Sequence, residues 1–409
     1  MNEMPHFYNA VGVDPSNKAS LIALSFSTNI PVERLKYYNE RNVLPSGKDL
    51  QRICHATGKN AAQLKLEMGQ FDHTLKALLQ RHAGDIYGLI ENELPKESNV
   101  LQMPKSVFES PLGRLYQGDC VEFMKTVESD SVDLIFADPP FNLKKLYPSG
   151  IDDNLKEQQY IAWCEEWLAE CVRILKPGGS FFLWNLPKWN STFSDYLNTL
   201  LTFRHWIAVD IKYSLPISNR LYPSHYSLLY YCKGEKPNTF HPDRLPMEIC
   251  PKCFTDLKDY GGYKDKMNPD GINLTDVWYD IPPVRHSKYK KREGANELSI
   301  KLLDRIVEMA SEDGDLVFDP FGGSGTTYAV AEIKKRRWIG VEIGPPDDII
   351  RRFAELDQEA RRLKELRQKL NRLMPDDVLA ARIKKGLWTP ESVRERKAEN
   401  LTEKQRNLF

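Results

Sequence analysis

Val132-Asp133-Leu134-Ile135-Phe136-Ala137-Asp138-Pro139-Pro140-Phe141 is the stretch that decides how this chain folds. Val132 to Ala137 form a near-continuous apolar run, the signature of a strand buried on both faces of a parallel sheet. The run stops at an acid and two prolines. Ligands of open α/β sheets sit beyond the carboxyl ends of the strands. Asp138, Pro139, Pro140 and Phe141 therefore stand where chemistry is done, although Asp-Pro-Pro alone is equally a strand-ending turn.

A second such stretch is Leu316-Val317-Phe318-Asp319-Pro320-Phe321-Gly322-Gly323-Ser324-Gly325-Thr326-Thr327. A strand runs into a glycine-rich turn, and a helical segment follows from Tyr328 to Lys334. The glycines permit tight turning and close approach of the backbone to a ligand. No Lys follows the last glycine, which disfavours a phosphate-binding loop, and the spacing is not the Gly-x-Gly-x-x-Gly of a nicotinamide site. Next comes Arg337-Trp338-Ile339-Gly340-Val341-Glu342, a short strand ending in an acid able to accept both hydroxyls of an adenosine ribose. Upstream, Gly118-Asp119 precedes the Asp-Pro-Pro strand by one helix, and Asp119 can accept from the amino group of an adenine.

Asp138 and the carbonyl of Pro139 suit one task in particular. An exocyclic amino nitrogen on a nucleobase is a poor nucleophile, because its lone pair is delocalised into the ring. Two acceptors for its N–H groups favour a pyramidal nitrogen with its lone pair aimed at an electrophile. The paired prolines fix the backbone and leave carbonyls without competing N–H donors. Phe141 offers a face on which an extruded base can stack.

Outward from these stretches, strand-like and helix-like runs alternate from Leu112 to about Glu355, as in an open α/β sheet. Residues 94–111 are rich in Pro, Ser and Glu and look like a linker. Residues 1–93 are polar with short helical patterns. Residues 357–409 form a charged helical tail, for which a solvated helix is the plain expectation and a DNA-contact arm or coiled coil the alternatives. The chain has 409 residues with 57 basic and 57 acidic side chains, so its formal charge is zero. That balance excludes a uniformly basic nucleic-acid coat and leaves room only for a local patch. Seven cysteines, no apolar leader after Met1 and no membrane-length apolar run predict a cytoplasmic protein with free thiols.

Taken together and in this order, these residues resemble the amino-methyltransferases of DNA in their β-group permutation. There the Asp-Pro-Pro-Phe element precedes the glycine element and target recognition lies between them. The resemblance covers Leu112 to Glu355. It includes Leu175-Lys176-Pro177-Gly178-Gly179-Ser180, read as a helix end and turn before the strand Phe181 to Trp184. It also includes Arg220 to His225 before Tyr226 to Cys232, similar to a segment that walls the target pocket. It implies a Rossmann-like α/β S-adenosylmethionine-dependent methyltransferase sheet spanning 112–356. The cofactor would lie over Asp119, Asp319, Phe321, Gly323, Ser324, Gly325, Thr326 and Glu342. Asp138, Pro139, Pro140 and Phe141 would be catalytic on a base flipped from duplex DNA. Asp rather than Ser before the prolines favours N6 of adenine over N4 of cytosine, and no Pro-Cys nucleophile for cytosine C5 chemistry is present. The implied partners are double-stranded DNA, cognate restriction or defence proteins on other polypeptides, and a second copy in a homodimer. A DNA-binding regulator with an inert methyltransferase domain is the rival reading.

One departure stands out. Family members often carry His-Pro-x-Gln-Lys-Pro before the helix that precedes the glycine strand. Here the stretch reads Arg292-Glu293-Gly294-Ala295-Asn296-Glu297-Leu298, with Asn296 and Glu297 as substitutes for contacts to the methionine end.

Target recognition is expected within about 234–292, where Arg285, Lys288, Lys290, Lys291 and Arg292 form a basic run around Tyr289 that suits phosphates. Cys250-Pro-Lys-Cys253 is half a zinc site, which Cys232 and His241 would have to complete; two free thiols are the plainer reading. In the N-terminal region, Ser25 to Leu35 suggests two short helices around a turn, and further helices are expected after Leu44-Pro45-Ser46 and from Asn60. This resembles the five-helix lambda-repressor-like helix-turn-helix family, with the helix near Val32 to Asn39 facing the major groove; a small helical protein-contact domain is the alternative.

Overall fold

The structure is a computed structural model. It describes residues 7–14, 17–93, 103–143, 154–210, 218–219, 221–253, 256–268, 270–281, 297–369, 376–387, 389, 391–392 and 395. The chain forms two compact units, Met1–Asn99 and Val100–Phe409.

The first unit is helical: α1 (Phe7–Ala10), α2 (Lys18–Thr28), α3 (Val32–Glu40), α4 (Gly47–Thr57), α5 (Ala61–Glu67), α6 (His73–Arg81) and α7 (Ala83–Ile90). Side-chain caps fix several starts. Asn17 accepts from the Ala19 amide, Asn60 from Gln63 and Asp72 from Leu75. Asn29 closes α2 in the left-handed conformation, and α3 opens after Pro31. Phe7, Leu24, Ile30, Leu35, Ile53 and Leu64 form the core. Asp49 on α4 accepts from Arg34 at 3.0 Å and Tyr38 at 2.8 Å, which ties α3 to α4.

The second unit is built on a nine-stranded sheet. Its strands are β1 (Phe108–Glu109), β2 (Gly113–Gln117), β3 (Val132–Ala137), β4 (Leu175–Asn185), β5 (Thr202–Asp210), β6 (His225–Cys232), β9 (Val277–Trp278), β10 (Leu316–Asp319) and β11 (Arg337–Glu342). A small ribbon pairs β7 (Arg244–Leu245) with β8 (Ile272–Asn273). The helices are α8 (Cys120–Met124), α9 (Glu157–Ile174), α10 (Pro187–Leu197), α11 (Ile300–Ala310), α12 (Thr326–Ile333), α13 (Asp347–Ala354), α14 (Leu356–Lys369) and α15 (Asp376–Lys384).

The strand order is β1-β2-β11-β10-β3-β4-β6-β5-β9. From β2 to β4 all neighbours are parallel, and β6 runs antiparallel to both β4 and β5. The sheet thus carries the expected α/β architecture. From its centre the chain moves outward both ways: β10 leads through α12 to β11, and β3 leads through α9 to β4. Their shared boundary, with Val317 beside Leu134 and Phe318 beside Ile135, is a topological switch point.

Alternate strand residues fill two cores. Ile135, Ala137, Phe181 and Phe318 meet Trp167, Leu168 and Phe193 of α9 and α10 on one face. Leu134, Phe136, Phe182 and Val317 meet Leu303, Ile306, Val330 and Leu363 on the other. Burial on both faces is why Val132 to Ala137 reads as a continuous apolar run.

Two local expectations need correction. Leu175 does cap the end of α9, but Leu175 to Ser180 is also the first half of β4, irregular in register beside Val132 and Leu134. Gly178 takes a left-handed φ of 76°, its amide donates to the Lys233 carbonyl at 2.7 Å, and Asp133 anchors Lys176 at 2.7 Å. Finally, α14 is not a solvated helix: Leu363 is 1% exposed within the core and Glu359 is 3% exposed. Among the described residues no helix is long and apolar enough to cross a membrane.

Candidate active site

Four acids end or directly follow four adjacent parallel strands. In sheet order these are Asp119 after β2, Glu342 on β11, Asp319 on β10 and Asp138 after β3. With strands spaced about 4.8 Å apart, the row spans roughly 14 Å. That length matches a nucleoside, a short linear chain and a reacting group laid side by side.

At the β3 end, Asp138 is half-buried and Pro139 buried. The loop is held from outside. Tyr160 Oη donates to the Pro140 carbonyl at 2.5 Å, and Trp189 Nε1 donates to the Phe141 carbonyl at 2.7 Å. The Phe141 ring lies 6.0 Å from Tyr226, which in turn lies 4.8 Å from Trp184. Tyr226 is on β6, beside β4, which brings the start of β6 to Phe141.

At the β10 end, Asp319 is buried, accepting from Thr327 Oγ1 at 2.5 Å and from the Phe321 amide at 2.9 Å. Burial pushes its carboxyl up to about 7, against the pull of these two donors, and the charge of Glu342 adds to the rise. Glu342 accepts from the amides of Gly323 and Gly344, each at 2.7 Å, and burial lifts its pKa too. Gly323 and Gly325 have φ of 51° and 73°. A Cβ on Gly325 would stand 2.8 Å from Ile349 Cγ2. Phe321 packs edge-on against Trp167 at 5.1 Å. Two desolvated carboxylates beside an open glycine backbone fit a ligand with cationic groups and vicinal hydroxyls. S-adenosylmethionine, with its sulfonium, ammonium and ribose, has that character.

Asp119 caps α8, its Oδ1 accepting from Val121 at 2.9 Å and Glu122 at 3.1 Å. The Gly118 amide donates to the Glu342 carbonyl at 3.1 Å, which sets the two acids side by side. Ser324 and Thr326 were expected to face the cofactor. Instead both are buried, and their hydroxyls accept from Arg352 at 3.0 and 2.7 Å. Glu297, named as a substitute for a methionine-end contact, has a side chain 4% exposed that lies 3.7 Å from Arg352. Asn296 and the basic run Arg285, Lys288, Lys290, Lys291 and Arg292 lie outside the described residues.

The proposed zinc set is not assembled. Cys232 is buried in β6 with its thiol on the Gly234 carbonyl, and His241 pairs with Glu312 at 2.6 Å. Neither Cys250 nor Cys253 is in a disulfide, and among the described residues no three His, Cys, Asp or Glu side chains gather for a metal. What sequence reasoning missed is a buried charge network that ties Asp243 and Asp280 to α11 and α14. Arg305 on α11 grips Asp280 with two bonds of 2.9 and 2.8 Å, reaches Asp243 at 3.0 Å, and stacks over Trp278. Arg367 on α14 joins it through Asp243 and Asp304. The only sequence cue was a basic residue inside an apolar helical pattern, which does not name its partners.

The fold and the row of acids define a class, the methyltransferases that act on amino groups. The chain belongs to the N6/N4 DNA methylase family, whose profile matches residues 132–346 and whose methyl donor is S-adenosylmethionine. It is 46% identical over 381 residues to the Type II methyltransferase M.BamHI of Bacillus amyloliquefaciens, covering 92% of this chain and 90% of that protein. It is 35% identical over 235 residues to the DNA adenine methyltransferase YhdJ of Escherichia coli K12, covering 56% and 78%. Among solved structures it is similar to the PvuII DNA methyltransferase (cytosine-N4-specific), with a TM-score of 0.45 and 17% identity over 74% of this chain and 97% of that one.

Proposed function

We propose that this chain is a site-specific modification enzyme. It methylates one exocyclic amino group within a short motif of duplex DNA, as the companion of a restriction endonuclease on a separate polypeptide. Similarity to a Type II methyltransferase over nine-tenths of the chain supports the modification role. The observation that carries the chemistry is that β3, which Asp138 follows, and β10, which Asp319 ends, are neighbouring parallel strands at the switch point.

In this reading Glu342 holds the ribose of the cofactor, Asp119 its adenine and Asp319 its methionine end. The bound cofactor supplies an electrophilic methyl group. Asp138 and the Pro139 carbonyl accept the two N–H groups of the flipped base and aim its nitrogen lone pair. Phe141 and Tyr226 supply aromatic faces for the base. Tyr160 and Trp189 hold the loop so that it needs no reorganisation during reaction. No covalent bond to the protein forms, and none of the buried cysteines has a part.

Of the two acceptable bases, Asp138 favours N6 of adenine, and the relative YhdJ is named for adenine. N4 of cytosine presents the same pair of N–H groups and is the alternative. Residues 234–292 are assigned to sequence reading, and the N-terminal helical unit to a second contact with DNA through the exposed side of α3.

The test is expression of wild type and Asp138→Ala in a host free of DNA methylation, followed by modification-sensitive sequencing of its DNA. Methylated adenine in one motif, absent in the variant, is the expected result. Methylated cytosine N4 would keep the mechanism and change the base. Unmodified DNA from cells holding soluble wild-type protein would favour the inert regulator.

A further inference from the structure

Arg352 is 3% exposed and lies among the residues of the glycine turn. From α13 its Nη1 donates to the Ser324 carbonyl at 2.8 Å, to Ser324 Oγ at 3.0 Å and to Thr326 Oγ1 at 2.7 Å. Its Nε donates to both carboxylate oxygens of Glu359 on α14, at 3.0 and 3.1 Å, and Nη2 lies 3.7 Å from Glu297. Both glutamates have side chains only 4% exposed.

Stability alone does not call for such a group, because a buried charge set gains little over well-packed apolar side chains once desolvation is counted. Geometry does. Ser324 and Thr326 flank Gly325, whose left-handed φ of 73° is not self-maintaining. Glu342 grips the near side of the turn through the Gly323 amide at 2.7 Å. Arg352 grips the far side, and its rigid planar fork fixes several acceptors at once in a way a lysine ammonium cannot.

We infer that Arg352, oriented by Glu359, is a positioning residue that sets the glycine turn in its cofactor-accepting conformation. This rests on the reading of that turn as the S-adenosylmethionine site. It also gives a role to the departure from the family pattern at Glu297, which supplies a buried counter-charge.

The test uses the full chain as Arg352→Lys, Glu359→Gln and Glu342→Ala. Cofactor binding is measured by calorimetry, melting without cofactor by scanning fluorimetry, and methyl transfer to DNA by KM and kcat. Arg352→Lys is expected to raise both Kd and KM for S-adenosylmethionine about tenfold or more, with a smaller fall in kcat at saturation. Glu359→Gln, which keeps volume and one acceptor, is expected to show the same direction at smaller size and carries the test if the lysine variant does not fold. Cofactor affinity within about twofold of wild type in both variants, with only a lowered melting temperature, would overturn the positioning role. If Glu342→Ala also leaves cofactor binding intact, the site reading itself has failed, which is a separate outcome.

Discussion

The phenol of Tyr160 on α9 donates a 2.5 Å hydrogen bond to the main-chain carbonyl of Pro140. Pro140 cannot donate in return, and the residue before it, Pro139, has a ring-locked φ. This side chain, 2% exposed and set in an aromatic cluster with Trp189 and Phe193, thereby helps to fix a loop whose two prolines have no backbone N–H to donate. Tyr160→Phe keeps the packing and removes the bond. We expect kcat to fall about tenfold while cofactor affinity stays within about twofold, since a misplaced acceptor weakens alignment rather than cofactor binding. Single-turnover methyl transfer with radiolabelled cofactor measures this, and an unchanged kcat would remove Tyr160 from the loop's support.

Asp319 sets a pH dependence whose sign is definite. Its folded pKa, raised by burial to about 7, lies above an unfolded value of about 3.9. Between those values the native state holds a proton that the unfolded state has lost, so this group's contribution to stability declines as pH rises from about 4 to 7. Asp319→Asn is expected to be more stable than wild type at pH 8, by about 2–4 kcal/mol, and to converge with it near pH 4. The same variant should lose cofactor affinity. In wild type, affinity should weaken below pH 7 as the carboxylate protonates. Urea unfolding and calorimetry across that range check both, and a stability gap independent of pH would contradict the shift.

Gly325→Ala combines a left-handed φ of 73° with a Cβ 2.8 Å from Ile349 Cγ2. A destabilisation of about 1–3 kcal/mol is expected, together with loss of the melting-temperature rise that S-adenosylmethionine gives wild type. Thermal scans with and without cofactor read both effects. A variant that melts and binds as wild type does would show that the turn relaxes freely.

Arg305→Met would leave Asp280 and Asp243 without their shared cation. Burial alone would raise the Asp280 pKa, but the bonds and charge of Arg305, aided by Lys301, outweigh it and hold the carboxylate below its usual range. The stabilisation is therefore present above an unfolded value of about 3.9 and lost as pH falls through and below it. Stripping one partner from such a pair costs about 3–5 kcal/mol near neutrality. The deficit relative to wild type is expected to shrink between pH 7 and pH 4 as the Asp280 carboxyl, left with Lys301 alone, protonates. Chemical denaturation at both pH values checks this, and a constant deficit would assign the loss to packing over Trp278.

Much of this was legible in the residues. Val132 to Ala137 and Leu316 to Asp319 announced themselves because strands buried on both faces must be apolar at successive positions. Asn60 announced a helix start because a side-chain acceptor satisfies an amide three residues on. Leu175 to Ser180 misled, because Lys-Pro-Gly-Gly breaks propensity locally while β3 and the end of β6 still pair with it.

The sequence by itself determined the strands, the two acidic turns at their ends and the order in which they come. These are local properties of side-chain size, polarity and backbone freedom. Tertiary structure alone decided that β10 lies beside β3, so that Asp319 and Asp138 become neighbours across 181 positions of chain. It also decided that Ser324 and Thr326 turn to Arg352, and that Arg305 meets Asp280 and Asp243. Charged partners far apart in sequence carry no local signal. They find one another only when the sheet has closed its core and the low dielectric between the layers leaves each buried charge no water to turn to.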